Sequence, residues 1–293
     1  MPSTDRSRID LHAHSNASDG VLTPSELVAR AAQRGIEVLA LTDHDTTAGI
    51  GEARQAAHRH RIGLVPAIEM SCAAGGKPLH VVGLGIDPDA AGLQRAMARL
   101  RELRAERARR IGQRLERLGI PGAYEGACAE AGSTVPGRAH FARWLLGRGV
   151  CADNAEVFER LLGRGRPAHV ATVWPELEDT VAGIREAGGV AVLAHPMRYK
   201  LTASWLRRIA ARFQECGGGA MEVVIANQSQ RDTATAADVA RRCGLKGSVG
   251  SDFHAAGRHA PELGGFGALP PDIEPVWESL PAVSVLPRRT AAQ

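Results

Sequence analysis

Short apolar runs, each too brief for a buried helix and most of them leading straight into histidine or a carboxylate, recur along this chain and limit what it can fold into. Ile36 to Leu41 leads into Thr42-Asp43-His44-Asp45, Gly63 to Ile68 into Glu69, Val190 to Ala194 into His195-Pro196, and Lys246 to Gly250 into Ser251-Asp252-Phe253-His254. Arg8 to His14 alternates, with Ile9, Leu11 and Ala13 on one face and Asp10, His12 and His14 on the other, as a strand does. Leu79 to Leu84, carrying His80, and Ala220 to Ile225 complete a set of seven.

Most of these strands are separated by helical segments. Thr23-Pro24-Ser25-Glu26 offers a helix cap, a proline at the first helical position and a capping-box glutamate, and Gly35 closes that helix. Further helices are predicted near Thr47 to Arg61, Pro175 to Ala187, Thr202 to Glu215 and Ser229 to Cys243. Strands alternating with helices favour a parallel α/β barrel over an open sheet, and polar residues at strand C-termini sit where such barrels place their chemistry. His80, near the start of its strand, is the exception.

Residues 98–166 read as a helical insertion between barrel segments 1–97 and 167–293, beginning within a long arginine-rich helix between Pro88 and Leu118. The stretch from Ala98 to His169 holds 14 arginines against 8 acidic residues, while the whole chain carries only +4, so the positive charge belongs to this segment. The arginines from Arg99 to Arg117 are expected to be solvated on amphipathic helices. The tail from Pro270 to Gln293, rich in Pro and Ala, is expected to pack loosely outside the barrel. Five scattered cysteines form no C-x-x-C pair and read as free thiols. With a polar start and no run of about 18 apolar residues, the expectation is a cytoplasmic protein without a membrane or protein partner.

Six of the 11 histidines (His12, His14, His44, His80, His195, His254) stand beside Asp, Glu or another His at strands or strand ends, and Asp19, Glu69 and Asp252 join them. Imidazole and carboxylate together suit divalent Mn, Fe or Zn, and nine candidate ligands exceed what one ion can take. Clustered cations activate water and stabilise charge on phosphoryl oxygens. Asp10, Asp43 and Asp45 are expected to support the ligands or cap loops.

The ordered set Asp10-Leu11-His12-Ala13-His14-Ser15, Ser18-Asp19-Gly20, Thr42-Asp43-His44-Asp45, Glu69, His80, Ala194-His195-Pro196 and Ser251-Asp252-Phe253-His254 resembles the PHP (polymerase and histidinol phosphatase) family. The resemblance implies a distorted (β/α)7 barrel and up to three metal ions. One ion would take His12, His14, Glu69 and Asp252, a second Asp19, His44 and His254, and a third Glu69, His80 and His195. Manganese is the expected metal, with iron and zinc as alternatives. Asp252, His254 and His195 are the expected catalytic residues, although ligand duty argues against either histidine as the proton donor.

In the insertion, Gly137-Arg138-Ala139-His140-Phe141-Ala142-Arg143 and Gly165-Arg166-Pro167-Ala168-His169 resemble the branch of the family that contains 3',5'-nucleotide bisphosphate phosphatases and short-RNA 5'-3' exonucleases. Arg138, His140 and Arg143, with Arg198 and Asn227 at the barrel top, are the expected substrate-binding residues. The implied reaction is hydrolysis of a small nucleotide phosphomonoester, most concretely a 3',5'-bisphosphate to AMP and phosphate. Exonuclease action on short RNA is the alternative, followed by amide or lactone hydrolysis and by a non-catalytic nucleic-acid-binding module. No G-x-S-x-G elbow, P-loop or dinucleotide fingerprint is present.

Overall fold

The computed structural model describes residues 8–257 and 260–280. Seven strands follow one another around a nearly closed barrel in sequence order: β1 (Ile9–Asp10), β2 (Val38–Leu41), β3 (Gly63–Ala74), β4 (Lys77–Leu84), β5 (Val190–Leu193), β6 (Ala220–Ile225) and β7 (Lys246–Gly250). β1 and β7 are joined by backbone bonds from the Leu11 N–H to the Val249 carbonyl at 3.1 Å, the Asp252 N–H to the His12 carbonyl at 2.8 Å and the His14 N–H to the Phe253 carbonyl at 2.9 Å, with a parallel bridge of Ala13 with Phe253.

The barrel is mixed, which corrects the parallel arrangement expected from the strand and helix alternation. β4 runs antiparallel to both β3 and β5, while the other neighbouring pairs are parallel. The cause is local. Gly75 and Gly76 both have positive φ, 55° and 72°, and a two-residue turn of that kind folds β3 back on itself as a hairpin. The reversal also removes the anomaly of His80, because the start of an antiparallel strand lies at the same barrel end as the C-termini of its parallel neighbours.

Helices α1 (Pro24–Gln33), α2 (Ile50–His60), α7 (Leu177–Glu186), α8 (Ala203–Glu215) and α9 (Gln230–Arg242) cover the barrel, and Thr23 with Glu26 forms the capping box expected for α1. Between β4 and α7 lie α3 (Ala91–Arg117), α4 (Ala123–Ala131), α5 (Arg138–Gly147) and α6 (Asn154–Val157), the last running into a π-helical turn, Phe158–Leu162. α3 belongs to two cores. Leu93, Met97 and Leu100 pack with the barrel helices, whereas Ala108, Ile111 and Leu115 pack with Phe141, Leu145, Leu162 and Val170.

Inside the barrel, Leu11, Val38, Ala40, Val65, Ala67, Val82, Leu84, Val192 and Ala220 form a separate apolar plug, closed by buried Val276 and Leu280. This corrects the expectation of a loose tail for its described part. Lys246 binds both Ser279 and Glu274 there, and the Gly247 N–H donates to the Glu274 carbonyl. Residues 281–293 of that tail lie outside the described residues. Among the described residues no helix is long and apolar enough to cross a membrane.

Candidate metal centre

A buried carboxylate, Glu69 on β3, is the hub of the barrel mouth. Its Oε1 lies 2.9 Å from His80 Nδ1 and 2.8 Å from His195 Nε2. Its Oε2 lies 3.0 Å from His44 Nδ1 and 3.3 Å from the Nε2 atoms of both His12 and His14. Asp252 Oδ1 faces the same two Nε2 atoms at 3.4 and 3.2 Å, and Asp19 Oδ1 stands 3.2 Å from His254 Nε2. Nine residues from six stretches of chain thus meet in one nest.

Three groups of donor atoms within it are close enough to share an ion: His12, His14, Glu69 and Asp252; His14, Asp19, His44 and His254; and His44, Glu69 and His80. The first matches the set implied by the resemblance. The second adds His14 to its expected members, and the third takes His44 where His195 was expected, although His195 touches the same Glu69 oxygen.

The donor set fits divalent cations. His14 Nδ1, Asp19 Oδ1, His44 Nδ1, Glu69 Oε2 and His195 Nδ1 are all buried without a hydrogen-bond partner. Three of these atoms, His44 Nδ1, Glu69 Oε2 and Asp19 Oδ1, meet histidine or carboxylate partners at 3.0–3.2 Å without hydrogen-bond geometry, the arrangement of donors that a shared ion would satisfy. Electrostatics agree. Burial works against charge on Glu69, yet His44, His80 and His12 hold it well below the usual carboxylate range. Asp252 and Asp19 are held low in the same way by neighbouring histidines. Burial lowers His14, but its bonds to Asp252 and Glu69 lift it to about 10, while burial takes His44 down to about 4.

Backbone strain is concentrated here as well. His195 (φ 29°), Asp252 (φ 54°) and Asp45 (φ 54°) all occupy the left-handed region, which side-chain-bearing residues enter at a cost of about 1–3 kcal/mol. At Gly250 the approach to β1 is so close that an added Cβ would lie 2.4 Å from His12 Cβ.

The three aspartates outside the nest brace it. Asp10 accepts the N–H groups of His12, Ser251 and Gly264, stitching the β1–β7 seam. Asp43 accepts from the Ser15 N–H and the Ser15 and Ser18 hydroxyls, which fixes the loop bearing Asp19. Asp45 accepts from the Ser71 N–H and from Arg104.

A model of the PHP domain matches residues 10–108, the part of the chain that supplies the first six residues of the nest. Over nearly its whole length the chain is 43% identical, across 275 residues, to the 3',5'-nucleoside bisphosphate phosphatase of Chromobacterium violaceum, covering 94% of this chain and 96% of that protein. The chain belongs to the PHP family. It is also 42% identical to a 5'-3' exoribonuclease of Haemophilus influenzae, covering 92% of this chain and 98% of that one. Among solved structures, a Chromobacterium violaceum amidohydrolase with bound SO4 and no metal superposes with a TM-score of 0.89 at 42% identity, covering 93% of this chain and 95% of that one. A Bifidobacterium adolescentis protein, provisionally assigned as a metal-dependent phosphoesterase, does so at 0.77 with 26% identity, covering 95% and 96%.

Around the PHP nest the expected substrate residues fall in different places. Arg198 follows His195 and pairs with Asp252 Oδ2. Arg143 donates to the Asp19 carbonyl at 3.0 Å, and with His140 it lines a cavity of about 880 Å³ that reaches Asp19 and His44. His140 is buried, its Nδ1 accepting the Gly137 N–H at 2.9 Å and its ring bonded to the Ser18 backbone, so it caps α5 and docks the insertion onto the loop bearing Asp19. Arg138, half-buried, lies over the Phe158 ring. Asn227 is exposed in a left-handed turn after β6 (φ 60°), a conformation that itself selects asparagine.

Three contributors escape the sequence. Glu222, in the middle of β6, accepts from His12 Nδ1 at 2.6 Å and from the His195 N–H at 2.5 Å. Its signal was a lone charge inside an apolar run. The Tyr199 hydroxyl, kept protonated by burial and by the charge of Glu69, receives the His80 N–H at 2.8 Å. Arg104 corrects the expectation of a solvated arginine face, because it is half-buried and binds Asp45 and the Ser71 hydroxyl.

Proposed function

We propose that this PHP protein is a hydrolase of nucleotide phosphomonoesters, and most concretely that it converts a 3',5'-nucleotide bisphosphate to AMP and phosphate. The observation that carries the reading is the Glu69-centred nest with its five orphaned atoms, set beside a cavity lined by Arg101, Arg104 and Arg143. Two or three divalent ions, manganese by preference, would supply an activated water and charge neutralisation when bound.

In this reading the chain's own residues do the rest. His12, His14, Asp19, His44, Glu69, His80, His195, Asp252 and His254 hold the ions. Arg143, which gives one donor to the Asp19 carbonyl and stands 3.6 Å from Glu130 through Nε, lines the cavity where a phosphate would lie and would supply it a guanidinium donor. Arg198 neutralises Asp252 from outside the nest, within reach of a second oxygen. His254 is the more exposed histidine beside Asp252, at 33% of its side chain against 10% for His195, which favours it as the group nearest the leaving oxygen. We assign residues 98–166 the task of covering the mouth, with the contacts of Arg143 and His140 as its clasp, and we place the protein in the cytoplasm.

The relatives favour a second reading, 5'-3' exonuclease action on short RNA by the same site. One experiment tests both: elemental analysis of the purified protein together with product analysis on 3',5'-ADP, 3'-AMP, 5'-AMP and a tetraribonucleotide. Two or more equivalents of metal with phosphate release from 3',5'-ADP are expected. Absence of any release or cleavage in metal-replete buffer would sink the phosphoesterase reading, and mononucleotides appearing from the tetramer would establish the second activity.

A further inference from the structure

The barrel mouth has two sides, divided by Glu69. Its Oε2 side, with His44 and Asp19, opens into the cavity beneath the insertion. Its Oε1 side, with His80 and His195, opens toward the tip of the β3–β4 hairpin and the start of α8. This second side is accessible, since His80 keeps 30% of its side chain exposed there.

β3 continues five residues past Glu69 to Ala74, so the hairpin projects beyond the rim, and Lys77 at its tip is three residues from His80. Three residues of strand span about 10 Å. Facing the tip, the chain leaves His195 through Arg198, Tyr199 and Lys200 and enters α8 at Ala203. Trp205, in the first turn of α8, joins the two. A Cβ at Gly75 would lie 3.5 Å from the Trp205 ring, so the glycine turn rests on the indole. Lys77 Nζ stands 5.4 Å from the ring centroid and the guanidinium carbon of Arg208 stands 4.3 Å from it. An aromatic face attracts a cation without neutralising it, and holds a flat guanidinium with its edge free to donate.

These charges lack counter-charges. Arg198 pairs with Asp252 and Arg212 with Glu178, but among the described residues Lys77, Lys200 and Arg208 have no carboxylate within ion-pair distance. Lys200 and Arg208 are exposed, and Lys77 is half-buried against the indole. A strip of cations leading away from a phosphoryl site suits a flexible polyanion, whose successive phosphates it can follow. A mononucleotide does not need it, because the cavity on the other side is already of nucleotide size, about 880 Å³. A longer strand has to leave the nest on the side away from that cavity.

We propose that Lys77, Lys200 and Arg208, gathered around Trp205, form a track for the backbone of a single-stranded RNA substrate beyond its scissile phosphate. The proposal rests on the exonuclease reading and deepens it, by naming the surface that tells an oligonucleotide from a mononucleotide. Contacts to phosphates make the track indifferent to base sequence.

The test uses the full-length, metal-loaded protein with its Lys77→Gln, Arg208→Gln, Arg208→Lys and doubly Gln-substituted variants. KM is measured for 3',5'-ADP and for RNA dinucleotide, tetranucleotide and octanucleotide. Binding of a phosphorothioate octamer, which keeps its charges and resists hydrolysis, is followed by fluorescence anisotropy across a salt series. The double variant should raise KM for the octamer about tenfold and for the dinucleotide less, with 3',5'-ADP unchanged. Its log–log salt slope should lose about 0.7 for each phosphate contact removed. Arg208→Lys should keep the wild-type slope, a rescue that an arginine serving only to pack Trp205 would not show. An unchanged slope together with KM ratios that do not depend on length overturns the proposal, as does an equal loss on 3',5'-ADP. Should the double variant fail to fold, the single variants decide by the same comparison. If wild type releases no mononucleotide from any oligomer, the exonuclease reading fails while the phosphorothioate octamer still reports on the track.

Discussion

Replacing Glu222 by glutamine keeps its size and shape and removes one acceptor. In the native chain the two carboxylate oxygens face two donors, His12 Nδ1–H and the His195 N–H, at 2.6 and 2.5 Å. An amide offers one oxygen and one NH2, so one of those donors must meet another donor in a site that is 1% exposed. A lost charge-assisted hydrogen bond in such a place is worth about 2 kcal/mol, or about thirtyfold in an equilibrium constant, in line with the 10- to 100-fold seen when carboxylates behind metal-bound histidines are changed. Metal affinity measured by competition with a chelating dye should therefore fall about thirtyfold. It should fall for ions on both sides of Glu69, because His12 and His195 face opposite oxygens of that carboxylate. Activity at saturating metal should recover most of its wild-type value. Native metal affinity in Glu222→Gln, with the fold intact by circular dichroism, would refute the reasoning.

Three further outcomes follow from burial and close approach elsewhere in the chain. His140 is held at about 4 by burial and by Arg143, below its unfolded value near 6.5, so its contribution to stability is complete above pH 6.5 and is lost as pH falls through that window. Between pH 6.5 and 5 denaturant titration should show wild type losing about 2 kcal/mol more than His140→Gln, and parallel pH profiles would contradict this. Gly250→Ala places a Cβ 2.4 Å from His12 Cβ and 3.0 Å from His12 N, where backbone must move, so a loss of about 1–3 kcal/mol and of bound metal is expected. Gly51→Ala, with open space at its Cβ on an exposed helical turn, should instead raise Tm slightly in the same thermal melts.

The parts legible in the sequence are those fixed by neighbours along the chain. β6 and β7 run from Ala220 to Ile225 and from Lys246 to Gly250 as their apolar runs predict, and α1 begins where Thr23, Pro24 and Glu26 place it. The nine candidate ligands converge at one rim, most of them just after a strand, while Glu69 and His80 lie within β3 and β4 and Asp19 in the loop after β1. The reversal of β4 was written in Gly75-Gly76, but a strand boundary expected at Ile68 hid the hairpin that continues through Ala74. Glu222 and Arg104 depend on partners 210 and 59 residues away, and no local periodicity encodes such a distance. His140, expected as a substrate contact beside Arg138 and Arg143, lines the cavity and also caps its own helix, a second duty that local sequence does not announce.

α3 is one uninterrupted helix of 27 residues, about 40 Å long, with its first turns in the barrel core and its last in the core of the insertion. The insertion is therefore entered through a stiff rod and left through the irregular segment between Leu162 and Leu177. A rod transmits bending and twisting that a loop would absorb. Exchanging insertions between PHP relatives thus calls for a graft inside α3, between Leu100 and Ala108, where heptad phase sets the angle at which the new piece meets the barrel mouth. A single residue added there would rotate everything beyond it by about 100° and turn Arg107 away from Trp174.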